Sequence, residues 1–534
     1  MPFNIRERGL IVADCIKTKA CATIETIAKT SGLHPSSVYR HQQAIKRRER
    51  YPESSFWETE AGYQWLLRLV FGLIYHFGVK QGVGAESLSA FLEAVHLESH
   101  VASSPSALRQ LKGRVHQAVL DYELAQSKDC QPSEGQGICV GADETFFGLP
   151  VLVLIELASG FIFIETECEN RTYQTWMEQL TARWADSTWH CHYLVSDGAK
   201  ALLKLAASGL GCVHVPDLFH ALRGLGRPLG QAIARQAATL QKQQERVQQQ
   251  RAKSNEVSET SPLQAVFERN AADQQQIQQD QQTYQQALEY ISQSLHPFTL
   301  DSQQWQTYQG LLTHLAPPLQ CLWDLAQTYN TQKVQQAIDT FETQIAAFAQ
   351  GVQAWRDWLS LDLDNQTQDP VLQSWLLSFL LPWVYWTQQA DKTRKPALKQ
   401  GYRQAATHAF NRLTGQPLSQ QLEDAQQQYW IRWAQDFCTN YQRTSSAVEG
   451  RNGYLSKLHH ARRGFSEQSL QVLTVIHNFD LKRADGTTAA QRLFGHEFPD
   501  LFEWMLTQVG DLPLPRRSAK ARQPKPIYAE GFSP

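Results

Sequence analysis

The chain has 534 residues and a mass of 60.7 kDa, with 42% hydrophobic and 19% charged residues. At roughly 100–200 residues per domain, that is about three domains with ample core. Fifty Lys and Arg against 52 Asp and Glu leave a formal charge of −2 and a pI near 6.8, so any nucleic-acid contact has to come from local basic patches. Nine cysteines without a CxxC pair exclude a disulfide framework and a zinc ribbon, and fit a reducing intracellular compartment.

The first residues lead into Arg6, Glu7 and Arg8 rather than a long apolar run, so no signal peptide is expected. Residues 61–77, AGYQWLLRLVFGLIYHF, carry Gln64, Arg68 and His76 and fall short of the roughly 20 apolar residues of a spanning helix. They predict a buried core helix in a soluble, cytoplasmic protein with no membrane partner.

Residues 1–50 are polar and helical in pattern and end in Lys46-Arg47-Arg48. The segment TIETIAKTSGLHPSSVYRHQQAI has the spacing of a helix-turn-helix. Ile24, Ile27 and Ala28 bury one face, Gly32 supplies the turn, Pro35 opens the next helix, and Val38 and Ile45 face inward. Ser36, Ser37, Tyr39, Arg40 and Gln43 then point outward, as the types that reach base edges, and Lys46, Arg47 and Arg48 extend the helix toward phosphates. The other reading is an ordinary three-helix bundle with a solvated basic face. Residues 56–126 are helical and apolar, with a looser second copy at 86–119 for which core packing is the plainer account.

From Gly137 the pattern changes to short apolar runs: Ile138–Ala142, Val151–Leu157, Phe161–Glu165, His192–Val195 and Gly211–Val215. With a helix at Tyr173–Trp184, these predict a mixed five-stranded α/β sheet over 137–224. Strand signals vanish over 225–437, where glutamine-rich helices form either a coiled-coil dimer seam or an internal antiparallel pair. The region 438–496 includes a helix expected over 446–482, and the basic, proline-rich tail 513–534 is expected to be disordered.

Asp143 ends ICVGAD and Asp197 ends HYLVSD, 54 residues on, where an open sheet exposes functional groups. Carboxylates brought together repel unless a cation joins them, although aspartates also cap turns. Glu449 lies in TSSAVEGRNGYLSKLHHARRGFS among Arg451, Asn452, Lys457, Arg462 and Arg463. It is either a salt-bridged surface residue or a metal ligand in a groove holding a phosphodiester. Glu144 falls on the opposite strand face and reads as structural. Strand alternation splits His190, Cys191, His192, Cys212 and His214 across faces, against a zinc site. His220 reads as a DNA contact or a support for the site.

GADET around Asp143, VSDGAK around Asp197, DLFHALR at 217–223, SSAVEGRN…RRGF around Glu449 and KRADGTTAAQRLFG at 482–495 resemble bacterial insertion-sequence DDE transposases. The resemblance covers roughly residues 137–223 and 440–496. It implies an RNase H-like core interrupted by an all-α insertion, which the 252 residues between Asp197 and Glu449 accommodate. It also implies that Asp143, Asp197 and Glu449 hold two Mg²⁺ or Mn²⁺ ions roughly 3.5–4 Å apart. The implied partners are duplex DNA, as element ends and target, and a second copy of the chain, nucleoid-associated when bound. The implied chemistry is hydrolysis of a phosphodiester followed by attack of the freed 3′-hydroxyl on target DNA. The alternative is a catalytically silent descendant that only binds DNA. One departure stands out: Ser445 and Ser456 occupy the Arg and Lys positions of one branch's Tyr-x2-Arg-x3-Glu-x6-Lys signature, leaving Arg451 and Lys457 as substitutes.

Overall fold

The apolar spacing of the first fifty residues becomes three helices: α1 (Ile5–Thr18), α2 (Ile24–Ser31) and α3 (Pro35–Arg48). The structure, a computed structural model, describes residues 5–18, 23–133, 135–184, 188–253, 262–462, 464 and 466–515. Thr23 caps α2 by accepting the Thr26 N–H, and Gly32 ends it at φ +67°, a conformation that costs a residue with a Cβ. The His34 ring caps α3, whose first position is Pro35. Val12, Cys15, Ile27, Ala28 and Val38 form the shared core, with Ile24, Leu33 and Ile45 packed against it.

The chain divides into two compact units, one made of Met1–Cys130 with Tyr454–Pro534 and the other of Gln131–Gly453. In the first, segments from both ends of the chain build one core. Tyr122, on the helix Pro105–Gln126, is fully buried between Phe479 and Trp504, and its hydroxyl donates to the Pro499 carbonyl at 2.6 Å. Tyr63 donates to Asp511 at 2.6 Å. The 61–77 stretch is the expected core helix, with Leu66, Val70, Phe71, Ile74 and Tyr75 wholly buried. No helix among the described residues is long and apolar enough to cross a membrane. The expected helix over 446–482 is two, Ser446–Arg462 and Glu467–Phe479. The second restarts at Ser466, whose hydroxyl caps it through the Ser469 N–H. The boundary between the units falls within Ser446–Arg462, so the segment 438–496 is shared between them.

The second unit holds the sheet: β1 (Gly137–Phe146), β2 (Pro150–Glu156), β3 (Ile162–Glu167), β4 (His190–Ser196) and β5 (Val213–Pro216). Its order is β3-β2-β1-β4-β5; β2 is antiparallel to β1 and β3, and β1, β4 and β5 are parallel. This is a mixed five-stranded sheet in a mostly helical chain, as the apolar runs predict. β1 runs past Ala142 because Asp143 through Phe146 keep pairing with β2, as far as Phe146 opposite Pro150. Asp143 therefore lies inside its strand rather than at its end.

Between β5 and Glu449 the chain is helical. Leu218–Lys253 and Pro262–Ser294 pack antiparallel: Tyr284 donates to the Gly226 carbonyl at 2.9 Å, and Arg251 lies over Phe267. The glutamine-rich segment is thus an internal pair. The helix Gln332–Gln366 packs on β4 and β5, with Trp355 fully buried and its Nε1 donating to the Phe437 carbonyl at 3.2 Å. His296, fully buried in the turn after Pro262–Ser294, joins Tyr385 at 2.6 Å and Tyr402 at 3.0 Å, tying that turn to two helices through one imidazole.

Candidate metal centre

The parallel pairing of β1 and β4 sets Gly141 opposite Val195, so Asp143 and Asp197, each two residues further on, follow from neighbouring positions on one face. Gly141 also admits the helix that brings Glu449. A Cβ there would stand 2.6 Å from Leu157 Cδ2 and 3.1 Å from Val448 Cγ2. Glu449 begins its helix by donating its N–H to the Ser445 carbonyl.

Asp143, His220 and Glu449 converge: each offers a ligand atom, and these atoms lie within 4.8 Å of one another. His220 Nε2 is 2.8 Å from Glu449 Oε1, and Asn452 Nδ2 donates to Asp143 Oδ2 at 3.0 Å. His220 is placed by Asp217, which is buried and accepts its backbone N–H at 3.0 Å. The other oxygen of Asp217 accepts the Ser445 N–H at 2.6 Å and the Ser445 hydroxyl, so one carboxylate anchors both helices of the site.

Burial pushes the Asp143 carboxyl up to about 6. The Glu144 backbone hydrogen bond opposes that rise, the charges of Glu449 and Asp197 add to it, and His220 opposes it. Asp197 is exposed, and its Oδ1 accepts the Ala199 N–H at 2.9 Å, a turn cap. Its charge reaches Asp143, but its ligand atoms stand outside the convergent trio. Two carboxylates and an imidazole suit a divalent cation such as Mn²⁺ or Mg²⁺.

Arg451 is not a free phosphate contact. Its guanidinium forms a two-bond fork with Glu165 at 2.7 and 2.6 Å, and both side chains are buried. The helix carries Glu449 and Asn452 on one face, three residues apart, whereas Arg451 points into the sheet. Glu144 faces the other way and meets Arg171 at 3.4 Å. His192 stacks on Trp358 with ring centroids 4.2 Å apart, His214 Nε2 bonds Ser196 at 2.9 Å, and neither joins a convergent group of three ligand types among the described residues. Lys457 is exposed on its helix, the side chain of Arg462 is not described, and Arg463 and residues 516–534 lie outside the described residues. On α3, Ser36, Tyr39, Arg40 and Arg47 are exposed, Ser37 and Gln43 half-buried. Arg48 departs from expectation: it is bound to Glu58 at 2.5 Å.

A family model described as a family of unknown function (DUF6399) matches residues 376–521. The match includes Glu449 and Asn452 but not Asp143, Asp197 or His220, and its description carries no activity. No curated protein and no solved structure matches the chain.

The anchoring of His220 and Ser445 by Asp217, and the fork between Arg451 and Glu165, were not anticipated from the sequence. DLFH carries a partial signal, an Asp positioned to cap the helix that begins one residue later. Glu165, in an apolar strand run, carries none.

Proposed function

We propose that the chain is a DDE-type DNA transposase: a metal-dependent enzyme that hydrolyses phosphodiesters at the ends of a mobile element and joins the freed 3′-hydroxyl to target DNA. The observation that carries this reading is the meeting of Asp143 with Glu449 and Asn452, the last of these 309 residues further along the chain, beside His220. The strand order β3-β2-β1-β4-β5, with an antiparallel β2 and parallel β1, β4 and β5, supports an RNase H-like core. The turn at Gly32 and the exposed Ser36, Tyr39, Arg40 and Arg47 support α2 and α3 as a DNA-reading helix-turn-helix.

Asp143, Glu449 and His220, with Asp197 beside them, would hold the cations. Bound there, divalent ions would sharpen a water as nucleophile and offset charge on the phosphate. In the first step the water oxygen bonds phosphorus and the bond to the 3′-oxygen breaks, leaving a 3′-hydroxyl and a 5′-phosphate. In the second, that hydroxyl attacks a target phosphorus and displaces the target's 3′-oxygen. Asn452 orients Asp143 Oδ2, and His220 orients Glu449 Oε1. Duplex DNA is the substrate, and two copies of the chain would bring two element ends together.

The test is Mg²⁺-dependent nicking of a plasmid carrying the flanks of the gene, comparing wild type with Asp143→Asn, Asp197→Ala and Glu449→Gln. Nicks at the flank ends, lost in all three variants, are expected. Folded protein that binds the flanks without cutting them would overturn the enzyme and leave a silent, DNA-binding descendant.

A further inference from the structure

The helix Leu218–Lys253 starts at the candidate site, with His220 in its first turn. It carries seven Lys and Arg residues against one acidic residue, Glu245, in a chain whose formal charge is −2. Its neighbour, Pro262–Ser294, has the opposite balance, four acidic residues and a single Arg269. Of these two packed helices, the first therefore carries the positive charge and the second the negative.

Five of those seven cations lie on one side of that element, while Arg251 lies over Phe267 of the neighbour. Leu225, Leu229, Ile233 and Val247 are buried, and Tyr284 of the neighbouring helix covers that side at Gly226. Arg223, Arg227, Arg235, Lys242 and Arg246 are exposed, and none of them pairs with a carboxylate among the described residues. At about 100° per residue these five fall in an arc of about 140° opposite the buried side, and they span roughly 35 Å of helix. Glu245 is the one acidic residue within that arc, its Oε1 accepting from Gln241 Nε2 at 3.2 Å, so five cations share the face with a single carboxylate, whereas a solvated helix face normally balances the two signs at i,i+4 spacing. Cations strung along one line do not converge on a compact anion. They suit an extended polyanion, and duplex DNA carries one charge per roughly 1.7 Å of its axis.

We propose that this face is a track for the phosphate backbone of duplex DNA, leading the duplex to the site at His220. The proposal rests on the reading of DNA as substrate and adds a contact surface within the helical insertion. The track holds DNA by charge and reads no sequence.

The test uses the full chain and a fluorescent duplex of arbitrary sequence, about 30 base pairs, titrated between about 50 and about 200 mM salt. A triple variant, R235Q/K242Q/R246Q, keeps good helix formers at exposed positions, and circular dichroism checks its fold. Loss of three phosphate contacts is expected to weaken binding at least tenfold near 100 mM salt and to lower the salt slope by about 2.7. Arg269→Gln, on the acidic neighbour, is expected to change neither. Wild-type binding with unaltered affinity and slope in the triple variant would overturn the track and leave the DNA reading standing. Absence of duplex binding by the wild type would overturn the DNA reading, and the track with it.

Discussion

Taking the Asp143 carboxyl out of water disfavours its charged form, and its pKa rises from 3.8 to about 6. The sign follows directly. Between those values the folded chain keeps a proton that the unfolded chain releases, so the contribution of Asp143 to stability is greatest below about 4 and is lost as pH rises through 6. On the proposed metal-dependent reading, a cation would bind the ionised carboxylate and reverse that cost. Mn²⁺ affinity, measured by titration calorimetry, is therefore expected to fall about tenfold per pH unit below 6, and Asp143→Asn to abolish both the binding and its pH dependence. The fork between Arg451 and Glu165 obeys a different rule. Arg451→Met takes the guanidinium away from the buried Glu165 carboxylate and should cost about 3–5 kcal/mol in urea unfolding. Replacing both, with Glu165→Leu as well, should recover most of that loss. A loss below about 1 kcal/mol in the single variant would mean that water reaches the pair.

Helix ends and shared polar groups set what each segment can tolerate. At Gly32 the space around a new Cβ is open, so the cost of a substitution comes from φ +67° alone. Gly32→Ala should destabilise the turn between α2 and α3 by about 1 kcal/mol, and Gly32→Asn by less, read from thermal unfolding. His296 is the converse case, a polar group whose two nitrogens serve two buried tyrosines. Burial drives its pKa well below the usual histidine value, so it stays neutral, with one nitrogen donating and the other accepting. His296→Leu removes both partners at once, and the orphaned Tyr385 and Tyr402 hydroxyls should cost about 2–5 kcal/mol. Unchanged unfolding would show that the hydroxyls find other partners.

Each compact unit closes its own apolar core, one around Leu111, Val115 and Tyr122, the other around the sheet at Val153 and Ile155. Calorimetry is therefore expected to resolve two unfolding transitions. Leu111→Ala should lower one and Ile155→Ala the other, each by about 2–5 kcal/mol. A single transition shifted alike by both substitutions would contradict independent cores. Because one unit is built from both ends of the chain, truncating the C-terminal segment before Tyr454 should destabilise the core that holds Tyr63 and Tyr122, although each lies more than 300 residues away.

Local physics made much of this legible from residue order alone. Thr23, Gly32 and Pro35 announce the helix ends of α2 and α3, because caps and turns act within three residues. The apolar runs announce five strands, because alternation and burial are written along the strand itself. Motif order singled out Asp143, Asp197 and Glu449, and it offered Asn452 as a DNA contact beside Glu449 rather than as the partner of Asp143. Tertiary structure alone decided the rest. His220 meets Glu449 across 229 residues, Arg451 meets Glu165 across 286, and Asp217 reaches Ser445 across 228. A charged side chain looks the same in sequence whether it faces water or a buried partner. Which of the two it does depends on which distant segment the core brings against it.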